Sequence, residues 1–405
     1  MRTARWVRGI VVAAAAIAAV AISGCAGFWD PLPNSGGGGS GTNPASGVFY
    51  VLNSTTSQLA ALTFAAGASA PSVISGSPYA LSGVPLSMAI SPSGSFLYVS
   101  TSGGIFFYGV NSDGSLNPGI QAISSDQAVA MQVDPSGLWL VYCISGSSAL
   151  NAIPLDTATG VASGNVVTSS NPLPATTPKQ IAISPSGSAA PYVFIAMGTG
   201  GTAVVGFNSG SSSPFGTVSR IAVKNSLGGD NTVGVDPQNR LLYVGETVAT
   251  TGTQSGGLRV FTIGNTSINE ISGSPYSSGG TGPSAILATQ SSIYIANSAV
   301  SGSSVGNISG FTIVTSTTGT TYSLTAINTV SAGSLTFSLA EDGTGAYLLA
   351  VNSGGSPDLS AFTFDATTAG QLDAGPTAPT GTDPTGAIAI VAVPQATNVA
   401  ELRRP

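Results

Sequence analysis

The chain has 405 residues, of which only 6% are charged: Lys and Arg number 10, Asp and Glu 16, and histidine is absent. Without imidazole, Ser-His-Asp and Cys-His catalysis and most transition-metal sites are excluded. An apolar share of 42% argues against a solvated disordered chain, and the 54 glycines and 25 prolines suit many short strands joined by tight turns.

Arg2, Arg5 and Arg8 precede an apolar run from Ile10 to Ile22. That is the pattern of an export leader, and the run is too short to span a bilayer comfortably. The next residues, Ile22-Ser23-Gly24-Cys25, resemble the bacterial lipobox. The resemblance implies a signal peptide over residues 1–24, cleavage before Cys25 and lipid on its thiol. The membrane then becomes a partner through that anchor, and the protein is expected to be extracytoplasmic, in the periplasm or at the cell surface. Loss of the leader leaves 7 basic residues against 16 acidic ones, a net charge of −9. No basic footprint for phosphates is left, so nucleic acid is excluded as a partner. Residues 25–46 are rich in Gly, Ser, Pro and Asn and read as a flexible tether. The second cysteine, Cys143, lies in the apolar run LWLVYCI and reads as a buried, inert strand thiol.

From residue 47 onward the chain repeats. Strand-like runs carry Tyr50, Tyr98, Tyr142, Tyr192, Tyr243, Tyr294 and Tyr347, at steps of 48, 44, 50, 51, 51 and 53 residues. A period near 50 points to propeller blades. An apolar strand precedes each tyrosine strand, across turns such as Ser91-Pro92-Ser93-Gly94 and Asp134-Pro135-Ser136-Gly137. Pro presets φ and Gly accepts positive φ, so these turns are hairpin corners. A third strand and a further turn complete four antiparallel strands. The hexapeptide ISGSPY occurs at Ile74 and again at Ile271, 197 residues or about four periods later. The two copies therefore read as equivalent loops between one blade's outer strand and the next blade's inner strand.

The tyrosine strand at Tyr50 has no inner strand before it, and the run Ala387-Ile388-Ala389-Ile390-Val391 has no tyrosine strand after it. The two fragments complement each other. The expected fold is thus all-β: a seven-bladed β-propeller over residues 47–397, closed by a C-terminal strand entering the N-terminal blade, with a tail at 398–405. The alternative is a pair of smaller β domains.

The stretch PLSMAISPSGSFLYV, Pro85 to Val99, resembles the YVTN-type β-propellers and the related lactonase family named for 6-phosphogluconolactonase. The turns Asp156 to Gly160 and Asp365 to Leu372 resemble that family's outer hairpins. The resemblance spans roughly residues 47–393 and implies a fold more strongly than an activity. The lactonase branch implies a Pro-Arg-His before an inner strand and an Asn-Glu after a tyrosine strand. Here Pro178-Lys179-Gln180 replaces the first, and Glu246, one residue early and preceded by Gly245, stands nearest the second. If the chain hydrolyses a lactone, Lys179 is the candidate oxyanion donor and Glu246 the candidate base.

Repeat geometry also gathers polar residues just before the inner strands, at one mouth of the central channel: Asp126, Gln127, Lys179, Gln180, Asp230, Asn231 and Asp383. Other aspartates, at 113, 134, 156, 236 and 365, sit where Asp caps a turn. Arg220, Lys224, Arg240 and Arg259 bias one sector of the surface positively. No metal-ligand spacing and no cofactor motif is seen, so neither a metal nor a cofactor is expected. The leading expectation is a lipid-anchored binding or scaffold module with a protein or carbohydrate ligand at a propeller face. The alternatives are a lactonase-like hydrolase of a sugar lactone and a surface-layer or adhesion component.

Overall fold

In the computed structural model the described residues are 47–65, 68, 70–117, 120–248, 256–355, 357–375 and 385–394. Cys25 and Asp383 lie outside them. Among the described residues every regular element is a β-strand, and no helix is long and apolar enough to cross a membrane.

The tyrosine strands Gly47–Asn53, Phe96–Thr101, Trp139–Ile144, Tyr192–Ala196, Leu241–Glu246, Ser292–Ala299 and Tyr347–Gly355 each lie second in an antiparallel set. The inner strands are Pro85–Ile90, Ala128–Val133, Gln180–Ile183, Asp230–Val235, Thr281–Ala288, residues 336–341 and Ala387–Ala392. Each inner strand packs beside the next, and the last packs against both 336–341 and Pro85–Ile90, so the ring closes. By hydrogen bonding the sheets number six rather than seven. The reason is the 20-residue strand Tyr322–Glu341. Its first part pairs with Val305–Thr315 as an outer strand, and its last part pairs with Tyr347–Gly355 as an inner one. Two sets thus share one continuous strand.

The closing strand behaves as the two fragments require. Phe49, Tyr50, Val51 and Leu52 pair antiparallel with Ala392, Val391, Ile390 and Ala389. Ser54 donates from its backbone to Gly386 at 2.8 Å. First and last segments of the propeller therefore lie in one sheet.

Alternation along each second strand sends neighbouring side chains to opposite blades. Phe49 and Val51 pack with Tyr347, Leu349 and Val351 of the last blade. Tyr50 and Leu52 pack with Leu97 and Val99 of the next. The apolar core is accordingly divided into seven clusters, each shared by two adjacent blades.

Aromatic side chains on the second strands also fasten blade to blade. The Tyr50 hydroxyl donates to the Gly114 carbonyl at 2.8 Å, Tyr98 to Gly160 at 2.8 Å and Tyr294 to Gly370 at 2.9 Å. Each acceptor lies in the outer hairpin of the following blade. Not every tyrosine is an equivalent copy. Tyr142 comes one residue later after its turn and faces the preceding blade, packing with Tyr98 and Ile105. In that blade the Trp139 indole takes over, donating to the Ser209 carbonyl at 2.9 Å. Tyr192 reaches the Asn265 carbonyl at 3.1 Å. Tyr347 instead stacks on Phe64 at 4.6 Å.

The repeated hexapeptide builds the same fastener twice. Ser77 Oγ accepts the Ala61 amide at 2.9 Å, and Ser274 Oγ accepts the Val260 amide at 3.1 Å. Beyond the end of the outer strand, these hydroxyls satisfy a third-strand donor that would be buried without a partner. Tyr79 then accepts the Leu116 amide at 2.9 Å and Tyr276 the Leu324 amide at 3.1 Å, each in the next blade.

These fasteners predict an order of stability losses. Removing the hydroxyl in Tyr98→Phe leaves a buried carbonyl unpaired and should cost about 1 kcal/mol. Gly160→Ala should cost more, roughly 2 kcal/mol or above. Gly160 has φ of 73°, and a Cβ there would come within 2.4 Å of the Phe96 ring. Urea unfolding of the two variants checks this. Midpoints equal to that of the parent would contradict it.

Candidate functional site

Each inner strand is hydrogen-bonded on one edge only, so its other edge faces the axis. There the strands enclose a cavity of about 770 Å³ to which all seven contribute. Its walls carry apolar side chains from every inner strand, a few neutral polar ones such as Gln132 and Ser338, and Lys179. Lys179 is the one ionisable side chain among the described lining residues. No ion pair of Lys179 occurs among the described residues.

The candidate residues from the sequence fall into two groups. Lys179, Gln180 and Asn231 line the cavity. Lys179 is exposed, at the entry of its strand. Gln180 Oε1 accepts the Thr232 hydroxyl and, at 3.2 Å, the Val233 amide, which ties two adjacent inner strands. Asp126, Gln127, Asp230 and Glu246 are not among the lining residues. Asp126 accepts the Tyr142 hydroxyl at 2.5 Å. Gln127 donates to the Ser102 carbonyl at 3.0 Å, in the preceding blade.

Glu246 is fully buried, and its Oε1 accepts the amides of Lys224 at 2.7 Å and Asn225 at 3.1 Å. Oε2 lies 3.6 Å from the Arg259 guanidinium. This carboxylate holds the loop that leads into Asp230–Val235. Burial raises its pKa, against the lowering effect of the two amides and Arg259. Arg259 belongs to the same knot. It was expected at the surface, yet only 6% of its side chain is exposed. It pairs with Glu270 at 3.2 Å, donates to the Ala222 carbonyl at 2.8 Å and lies over the Phe261 ring. Lys224 pairs with Glu270 at 3.2 Å. The apparent positive sector is therefore largely neutralised, with Arg240 bound to Asp236 at 2.5 Å.

Asp230 is also fully buried. One carboxylate oxygen takes the Thr202 hydroxyl at 2.5 Å, and the other has no hydrogen-bond partner among the described residues. Burial pushes its pKa up to about 7, with the nearby Glu246 adding to the rise and Thr202, Arg259 and Arg220 opposing it. The turn aspartates behave as caps. Asp134 Oδ1 accepts the Trp139 amide at 2.7 Å, and Asp365 accepts the Thr367 amide at 2.8 Å. Cys143 is free and buried, with its thiol pKa pushed up to about 12 by desolvation. No group of ligating side chains suited to a metal ion occurs among the described residues. The cavity's apolar contributors, Phe337 among them, carry no motif of their own in the sequence. Their signal was the inner-strand register of each repeat.

No family model matches the sequence, and no curated protein matches it. Solved structures do. A candidate 6-phosphogluconolactonase from Bacteroides fragilis NCTC 9343 superposes with a TM-score of 0.65 at 13% identity, over 87% of this chain and 99% of that one. The periplasmic gluconolactonase PpgL of Pseudomonas aeruginosa gives 0.58 at 14% identity, over 86% and 99%. A protein of unknown function from Desulfotomaculum acetoxidans DSM 771 gives 0.61 at 11% identity, over 86% and 99%. The likeness is one of fold. At these identities the propeller is shared, and the side chains in its channel have to be read for themselves.

The buried acid makes a pH-dependent prediction. Asp230 has a folded pKa above its unfolded value, so the folded state holds the proton more tightly. Its contribution to stability is fullest below about pH 4 and is lost as the pH rises to about 7 and beyond. Asp230→Asn should therefore gain on the parent at pH 8 relative to pH 5, by an amount on the order of 1–3 kcal/mol. Thermal unfolding of both proteins at the two pH values checks this. Parallel pH profiles would contradict it.

Proposed function

We propose that this protein is a lipid-anchored, extracytoplasmic propeller that binds a ligand in its central channel and does not hydrolyse lactones. The observation that carries the reading is the composition of the cavity wall. Among the described lining residues Lys179 is the one ionisable side chain, with no carboxylate, tyrosine or cysteine beside it. Lactone hydrolysis needs a group to deprotonate water and a donor for the developing oxyanion. Lys179 supplies a donor. The candidate base, Glu246, is held by two amides and Arg259 away from the cavity wall. A cavity of about 770 Å³ with convergent polar groups suits a small ligand.

The second reading, a lactonase-like hydrolase, is favoured by the likeness to the two gluconolactonase structures. The extracytoplasmic setting draws on the leader pattern and on the periplasmic source of one of those neighbours. Anchoring draws on Cys25 within its lipobox-like context.

On this reading the purified protein turns over neither 6-phosphogluconolactone nor glucono-lactone above background in a pH-stat assay. Turnover abolished by Lys179→Ala or Glu246→Gln would replace the binding reading with the hydrolytic one. For anchoring, Cys25→Ala should shift the protein from the membrane fraction to the soluble one or block its processing. Intact-mass analysis giving an unlipidated N-terminus elsewhere would overturn the anchor.

A further inference from the structure

The mouth of the channel is chemically lopsided. On one side stand Lys179, Gln180 and Asn231, from the fourth and fifth inner strands counted from the closing strand. Among the described lining residues no carboxylate stands on the cavity wall to pair with Lys179. Three places round the ring of seven in one direction, and four in the other, lies the inner segment 336–341, so it sits across the channel. It places Phe337 on the cavity wall with 47% of its surface exposed. Two residues earlier, at a break in the strand register, Leu335 is 43% exposed. Its φ is 55°, a conformation a branched aliphatic side chain rarely adopts. Phe337 is thus a large apolar group kept out of the core on the cavity wall, close in sequence to a strained backbone at Leu335. Such exposure and strain are costly and gather at sites that bind.

Both sides of the mouth have something missing. Lys179 has no ion pair among the described residues, and nearly half of Phe337 is open to solvent. We propose that the channel mouth binds an amphiphilic monoanion: a carboxylate or sulfonate on an aryl-sized apolar body. Its charge lies on Lys179, with Gln180 and Asn231 beside it, and its body lies against Phe337 and the neighbouring Leu339. The proposal rests on the binding reading above and names its ligand class. A polyhydroxylated sugar acid fits this mouth less well. It would match the polar side but leave the exposed Phe337 uncovered.

The test is calorimetric titration of the chain from Ala26 onward, which retains every described residue, with naphthalene-2-sulfonate. Saturable one-to-one binding is expected. Lys179→Ala should weaken it about tenfold or more, the equivalent of one charge contact of about 1.4 kcal/mol. Phe337→Ser should weaken it by roughly fivefold or more. The uncharged 2-naphthamide should bind more weakly and be indifferent to Lys179→Ala. The control variant Arg220→Ala, at an exposed position on an outer strand, should change nothing. Absence of saturable binding, equal affinity in the Lys179→Ala variant, or tighter binding of gluconate than of the naphthyl anion would each overturn the proposal. Such a failure with the lactone assay silent would remove only the ligand class. Lactone turnover would remove the binding reading beneath it.

Discussion

The structure depends on one pairing, between the strand Ala387–Ala392 and the strand Gly47–Asn53. A ring of blades has no central stack to fall back on; each blade is held by its two neighbours. The closing strand supplies Ala387 and Ile390 to the cluster shared by the last and first blades. It also sets Ile388, Ala389 and Val391 against the cluster shared by the first and second. Without it, the first blade would present an open edge and two apolar seams would face water. One of the seven walls of the cavity would go with them. Stability and the central cavity therefore hang on the same few backbone hydrogen bonds, made between segments more than 330 residues apart. Pairing at that separation carries a high entropic cost of loop closure, offset by burial along both seams.

Much of this was legible in the residues. The period, the turn grammar and the complementary half-blades at the two ends gave the ring and its closure, because turn chemistry is local and Pro, Gly and Asp report it directly. The tyrosine signature was legible only as a strand signature. Tyr142 arrives one residue late, and with a side-chain period of two a shift of one sends it to the opposite blade. Trp139 then takes the role that a tyrosine plays elsewhere. The continuity of Tyr322–Glu341 across two blades was likewise hidden, since no sequence signal distinguishes a sharp loop from a strand that carries on past a strained leucine.

The site was less legible for a related reason. Of the positions around the starts of the inner strands, Lys179, Gln180 and Asn231 line the cavity. Their neighbours Asp126 and Asp230 turn away to satisfy Tyr142 and Thr202. Glu246 and Arg259 found each other through strand pairing, and a pairing register is not visible in a list of charges. In a chain so poor in ionisable groups, buried ion pairs and turn caps hold several of those described. Among the described lining residues, what remains facing the channel is a single cation.

Closure is best tested by truncation. Two shortened proteins would be compared by thermal unfolding with the parent, one ending at Pro394 and one at Gly386. The first keeps the closing strand and should melt as the parent does. The second lacks it and should lose its cooperative transition or aggregate, with apolar seams open to solvent. A protein ending at Gly386 that melts cooperatively at the parental temperature would contradict the account, because the ring would then stand without the strand that is held to close it.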